Sequence, residues 1–160
     1  MSRQWGGHIT SRVDYAVRAL VVLAAAQAAG TPWLTTHAIA TDQQIPVRFL
    51  EGIMRDLRMA GLVSSRRGVD GGYVLAADAA SISVADVIRT VDGPLAEVRG
   101  QRPEEWEYPG CTAALREVWI AARASLRSVL EQVSVADVAA SQLPVEVLSW
   151  TRDPAVWLAH

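Results

Sequence analysis

Between residues 46 and 75 the chain reads PVRFLEGIMRDLRMAGLVSSRRGVDGGYVL. Val47, Leu50, Ile53, Met54 and Leu57 recur there at helical spacing, which gives one face to bury. Pro46 suits a first helical turn, and Gly61 falls just past the last one, where glycine accepts a left-handed cap. The opposite face carries Arg48, Glu51, Arg55 and Arg58. Residues 62–65 and 73–75 then read as two short strands, and Arg66-Arg67-Gly68-Val69-Asp70-Gly71-Gly72 between them has the composition of a hairpin tip. A helix followed at once by a basic β-hairpin is the layout of a winged helix-turn-helix. In that layout the helix enters the DNA major groove and the wing lies along phosphates or a minor groove. A surface helix and hairpin of an α+β domain, with its charges merely solvated, shares the same pattern.

The flanking pattern is helical too. Thr10 or Ser11 caps a first helix to about residue 29, with Val13, Val17, Leu20, Val21 and Ala24 as its stripe and Gly30-Thr31-Pro32 as its stop. Arg12, Asp14 and Arg18 fall on or near its exposed side. Residues 34–41, with Thr35 or Thr36 as cap and Ala38 and Ile39 as apolar positions, read as a short second helix, and 42–45 as the turn of the helix-turn-helix. After the wing, 76–81 is a connector. Ser83 caps a helix over 84–91, ended by Asp92-Gly93-Pro94. Residues 95–110 are irregular and charged. Cys111 opens a long helix over about 112–132, on which Leu115, Trp119, Ala122, Leu126 and Val129 repeat at three- and four-residue steps. That apolar surface exceeds what a small winged domain covers, so the helix is expected to pair with a second copy. Ser134 caps a last short helix over 135–140, and the tail 141–160, with Trp150 and Trp157, is left unassigned. No internal repeat or low-complexity run is read in the chain.

Composition adds limits. Of 160 residues 51% are hydrophobic and 20% charged, which supports a buried core and argues against disorder. No apolar run approaches the roughly 18 residues that span a bilayer, and residues 1–9 read as a polar leader without a signal-peptide core. A single cysteine excludes an intrachain disulfide framework and any CxxC pair, as expected of a cytoplasmic protein. The net charge of −2 is unusual for a DNA binder until it is divided along the chain. Residues 1–75 hold eight arginines against five acidic residues, and residues 76–160 hold seven against twelve. The positive charge sits with the helix and hairpin. All 15 basic residues are arginine, which suits guanine and phosphate contacts, although genomic base composition produces the same bias.

Candidate residues follow. Val47, Arg48, Glu51 and Arg55 are the exposed positions of the suspected recognition helix. Arg66 and Arg67 at the wing are phosphate or minor-groove candidates. Arg12, near the start of the first helix, is either a phosphate contact or a solvated arginine. Glu51 either accepts from a cytosine amino group or pairs with Arg48 or Arg55 along the helix. His8 has no second ligand nearby, and His37 has no nucleophile or acid cluster beside it, so neither supports a metal site or a catalytic one. An enzyme would further need a nucleophile–base pair, a phosphate loop or metal-ligand spacing, none of which is present.

Taken together, SRVDYAVRALVVLA, FLEGIMRDLRMAGLVSSRRGVDGGYVLA, ISVADVIRTVDGP, the cysteine-led long helix and the terminal SVADVAA resemble the IscR-type (Rrf2) winged-helix transcription regulators over about residues 9–140. The resemblance implies a dimer that binds double-stranded operator DNA, often as a repressor, and senses iron–sulfur status, redox state or a small metabolite. It places Arg48, Glu51 and Arg67 at DNA-touching positions and helix 112–132 at the dimerisation helix. The sensor departs from the family pattern. Cluster-binding members have three cysteines in the segment equivalent to 92–111, often with a nearby histidine; this chain has only Cys111, and alanines at the histidine's place. Relatives that borrow a glutamate and a histidine from the partner's first helix are matched here by Asp14 and Arg18, and arginine does not ligate iron. The expectation is therefore no cofactor and no iron–sulfur cluster. Cys111 is left as a buried remnant thiol, a redox-sensing thiol before a helix N-terminus, or part of another ligand site. Trp106, Tyr108 and Trp119 either line a small-molecule pocket or belong to an aromatic dimer core.

The reading is a mainly α protein with a small β-hairpin wing: a winged helix-turn-helix domain over 10–92, a sensor loop over 93–111, a dimerisation helix and a short following helix over 112–140, and a tail. Its function is expected to be that of a homodimeric, sequence-specific DNA-binding transcription regulator, a repressor answering to a thiol or ligand signal around Cys111, with no membrane association. The alternatives are an iron–sulfur regulator with unusual ligands and a winged-helix protein-interaction module.

Overall fold

A computed structural model describes residues 9–158. The leader before Ile9, with His8, lies outside the described residues. Helix α1 (Ser11–Ala28) starts at Thr10, whose hydroxyl accepts the Val13 amide at 3.2 Å. Its inner face is Val13, Ala16, Ala19, Leu20, Leu23 and Ala24, with Val17 and Val21 at the margin. Helix α2 (Thr36–Gln43) is capped by Thr35 and begins later than its sequence suggests. Leu34 is taken instead into an antiparallel bridge with Tyr73, its amide donating to the Tyr73 carbonyl at 3.0 Å. The turn correspondingly moves to 44–46, where Gln44 takes a left-handed conformation at φ 53°. Helix α3 (Val47–Met59) follows, then β1 (Val63–Arg66) and β2 (Gly72–Leu75), antiparallel from Val63 opposite Leu75 to Arg66 opposite Gly72. Gly72 is glycine for a local reason: a Cβ there would stand 2.6 Å from the Leu34 carbonyl oxygen.

A 3₁₀ turn (Ala79–Ser81) leads to α4 (Val84–Val91). The loop beyond it holds 3₁₀ turns at Pro103–Glu105 and Gly110–Thr112 before α5 (Leu115–Leu130), α6 (Val135–Ala139), α7 (Val145–Arg152) and a last turn at Pro154–Trp157. The α5 N-cap is Ala114, which offers no side-chain acceptor, so the helix starts three residues later than expected and Cys111 lies in the preceding turn. α1 packs against α3, α4, α6 and β2 around Leu20, Leu23, Ile39, Leu50, Ile53, Met54, Leu57 and Val63. A second cluster joins Val13, Ala85, Ile88 and Leu95, with Leu130 at the end of α5 against it. No helix among the described residues is long and apolar enough to cross a membrane.

The chain does hold a short repeat, which corrects the reading that it has none. SVADV occurs twice, at 83–87 and at 134–138, and the fold sets the two copies side by side. The Val84 amide donates to the Val133 carbonyl and the Val135 amide to the Ile82 carbonyl, each at 2.9 Å. In each copy the serine hydroxyl accepts the aspartate's backbone amide while the aspartate carboxylate accepts the serine's, a reciprocal cap on α4 and on α6. A pentapeptide is too short to register as a repeat, yet it stitches the end of the chain onto the first domain.

These caps carry a pH dependence. The Ser134 hydroxyl and amide hold the Asp137 carboxyl below its usual range. Burial pushes Asp86 up, but Ser83 and Arg89 together outweigh it and hold it down as well. Folded values below the unfolded ones mean stability that is present above the unfolded aspartate range, near ~3.9, and lost as pH falls through the folded value. Asp86→Ala and Asp137→Ala should each lower unfolding free energy by about 0.3–1 kcal/mol at neutral pH. In urea titrations that deficit should shrink below about pH 4; a deficit that stays constant to lower pH would refute the cap as its source.

Candidate nucleic-acid interface

Helix α3 is amphipathic because its buried side chains, Leu50, Ile53, Met54 and Leu57, fall on one side. Val47 belongs with them: it is half-buried and packs on the core, one turn before Leu50 on the same stripe. The expectation that Val47 meets base edges is therefore corrected. Two large apolar side chains of α3 face out instead, Phe49 near its start and Met59 at its end, at 67% and 79% exposure; neither is among the sequence candidates although both lie off the buried stripe. Arg48, Glu51 and Arg55 are exposed beside Phe49. Glu51 forms no ion pair with either arginine among the described residues, and Arg55 reaches only Asp56, at 3.9 Å. The intrahelical explanation for Glu51 has no contact behind it.

The wing tip is built by glycine and by Arg66. A Cβ on Gly71 would come 2.7 Å from the Gly68 carbonyl oxygen, and the Gly71 amide closes the turn onto that carbonyl at 2.9 Å. Arg66 donates from Nε to the Asp70 carbonyl at 2.6 Å and lies over the Trp33 ring, 4.3 Å from its centroid. Its guanidinium thus shapes the wing as well as charging it. Arg67 is exposed and makes no such bond among the described residues. Between the wing and the start of α2 lies a concavity of about 430 Å³, lined among others by Thr35, Thr36, Arg58, Arg66 and Arg67. Arg58 spans its wall, donating to the Ser65 hydroxyl at 3.4 Å. A helix N-terminus and three guanidinium groups around one concavity favour an anion there. Thr36 and Trp33, absent from the sequence candidates, enter through the Leu34–Tyr73 bridge, which no local pattern announces.

Other candidates are placed differently. Arg12 is half-buried, ion-paired with Asp56 of α3 and hydrogen-bonded from Nε to the Val91 carbonyl at 3.2 Å. It joins α1, α3 and α4, so its placement on the open side is corrected. Arg18 pairs with Asp14 at 3.1 Å and donates to the Gln43 carbonyl and side chain at the end of α2. Cys111 is exposed within one chain, so the chain's own core does not bury it. Trp106 donates to the Val98 carbonyl at 2.8 Å with Arg99 over its ring, closing its own loop. Arg123 on α5 holds Glu104 of that loop at 2.8 Å. Along α5 itself no residue is buried: Leu115, Trp119 and Ala122 are exposed, and Leu126 and Val129 are half-buried.

An iron–sulfur cluster takes four ligands, normally thiolates. Each chain offers one thiol, Asp14 is engaged by Arg18, and no three histidine, cysteine or acidic side chains gather at metal-binding distance among the described residues.

A helix-turn-helix with an adjoining basic hairpin is what the comparisons with known proteins bear out. The Rrf2 family, described as iron-dependent transcriptional regulators, matches residues 9–141. The chain belongs to the Rrf2 family of transcriptional regulators. It is 48% identical over 145 residues to an HTH-type transcriptional regulator of Mycobacterium tuberculosis, covering 91% of this chain and 89% of that one. It is 33% identical over 131 residues to the regulator CymR of Bacillus subtilis, covering 82% and 88%. The solved structure of that protein, described as the global cysteine regulator, superposes with a TM-score of 0.71 over 84% of this chain and 97% of that one. The IscR of T. potens superposes at 0.66, with 27% identity, over 97% and 94%. Winged-helix architecture and membership among regulators rather than enzymes are thereby shown for this Rrf2 chain.

Proposed function

We propose that this Rrf2 chain works as a homodimer that binds a specific double-stranded operator and represses transcription, without an iron–sulfur cluster, under a thiol or small-molecule signal read around Cys111. The observation that carries the reading is a set of exposed groups without an ion-pair partner among the described residues: Arg48 and Glu51 on α3 and Arg67 at the wing tip. Phosphate contacts from arginine position such a protein, and polar side chains on the helix in the groove select bases. Pairing is supported by α5, which has an apolar stripe and no buried residue within one chain. The dimer then sets two α3 helices against the two halves of an inverted repeat. Absence of a cluster is supported by the donor count and by Arg18 at a position where relatives supply histidine. A thiol signal is supported by the exposure of Cys111 in a turn that leads into α5.

The test begins with anaerobically purified full-length protein, its visible spectrum and its iron content. Selection from randomised duplexes follows, and binding of the selected site is then measured with and without hydrogen peroxide. A colourless, iron-free protein that enriches an inverted repeat is expected. Peroxide should change its affinity in the wild type and leave Cys111→Ser unaffected. Visible bands with bound iron would overturn the cluster-free reading, and failure to enrich any sequence would overturn the DNA reading. Indifference of the wild type to peroxide would transfer the signal from the thiol to a small ligand.

A further inference from the structure

Gly52 stands inside α3, with five residues of the helix before it and seven after it, since the helix runs Val47–Met59. Glycine inside a helix is destabilising relative to alanine, because the unfolded backbone is freer and no side chain covers the turn. Where such a glycine persists, a crowded neighbour or a left-handed backbone commonly requires it. Neither applies to Gly52. A Cβ built there would meet nothing within 4 Å, and Gly52 is absent from the residues of positive φ. Among the described residues, nothing calls for a missing side chain at this place.

Its position on the helix supplies a reason from outside the chain. At 100° per residue, Gly52 lies opposite the buried side chains Leu50, Ile53, Met54 and Leu57, near the middle of the outward face. Arg48 is one turn before it and Arg55 one turn after, both exposed, with the exposed Phe49 ring on the flank. A helix with its side chains is about 10–12 Å across and the major groove about 12 Å wide, so outward side chains limit how deeply the backbone settles. We infer that Gly52 is the close-approach point of α3: its missing side chain lets the helix backbone settle against the base edges of duplex DNA, while Arg48 and Arg55 reach past it on either side. This rests on the DNA-reading function above, and gives Gly52 a positioning role in it.

The experiment pairs stability with affinity. Gly52→Ala, Gly52→Leu and Arg67→Ala are compared with the wild type by thermal unfolding and by fluorescence anisotropy on the selected operator. Gly52→Ala should raise Tm by about 1–4 °C and yet weaken operator binding about tenfold. Gly52→Leu should weaken it further while remaining folded. A stability gain that accompanies a loss of binding is the signature of approach denied. If Gly52→Ala and Gly52→Leu bind like the wild type while Arg67→Ala binds more weakly, the inference is overturned and the DNA reading stands. If Arg67→Ala also binds like the wild type, the DNA reading falls with it.

Discussion

Trp119→Asp should leave the chain folded but monomeric, and its affinity for a two-half-site operator should fall about a hundredfold. The helix that carries Trp119 is 16 residues long, and none of them is buried within one chain. Its inner side is held by polar contacts, Arg123 to Glu104 at 2.8 Å and Arg116 to the Glu104 carbonyl at 3.2 Å, with Leu130 packed at its end. Beside these contacts the helix exposes Leu115, Trp119 and Ala122, with Val118 alongside at 52% exposure. Across a two-fold axis the same patch meets itself, so one substitution sets two carboxylates into one apolar contact, each stripped of water. Trp119 is 39% exposed, and its loss opens no cavity in the core. Light scattering should report half the wild-type mass at unchanged helical content, and anisotropy the loss of affinity. A variant that remains dimeric would mean that α5 is not the contact surface.

Arg67→Ala and Glu51→Ala should separate the two components of recognition. Arg67 stands at the wing tip without an internal partner among the described residues, so its charge is available to phosphates or to a narrow minor groove. Its removal should weaken binding to all sequences alike, about tenfold, and lower the salt dependence by about one counterion. Glu51 faces outward with no arginine paired to it among the described residues. A carboxylate brought near DNA is repelled unless it accepts from a cytosine amino group, so Glu51→Ala should relax selectivity at one base pair, by about 1–3 kcal/mol, with little change in non-specific binding. Selection from randomised duplexes with each variant measures both effects. An Arg67→Ala protein that changes sequence preference, or a Glu51→Ala protein that does not, would reverse the assignment.

Much of this was legible where local chemistry decides. Ser83 and Asp86 cap α4 from within the same four residues, and its bounds were read correctly as 84–91. The outward placement of Arg48, Glu51 and Arg67 followed from the stripe of α3 and the glycines of the wing. What was misread depended on distant partners. Leu34 was assigned to a helix because its bridge to Tyr73 lies 39 residues ahead in the chain. Arg12 read as a surface residue because Asp56 and Val91, which hold it, belong to other helices. Val47, at the first turn of α3, fits both the buried stripe and the outward set by spacing alone, and only its packing on the core decides for the stripe. α7 begins after Pro144 with no side-chain cap and buries none of its residues, so neither an end signal nor a deep face marked it.

The stitch between the two SVADV copies also decides the order in which the molecule is completed. Val135, near the chain's end, is fully buried in the same core as Leu20 and Leu23 of the first helix. Contacts between segments so far apart must close a long loop before they stabilise anything, and such closure slows folding. The wall that Val135 adds to the inner face of the first helix can be in place only after residue 135 has been synthesised. A fragment ending after the wing would carry every candidate DNA contact and still lack one wall of the core that holds them in place.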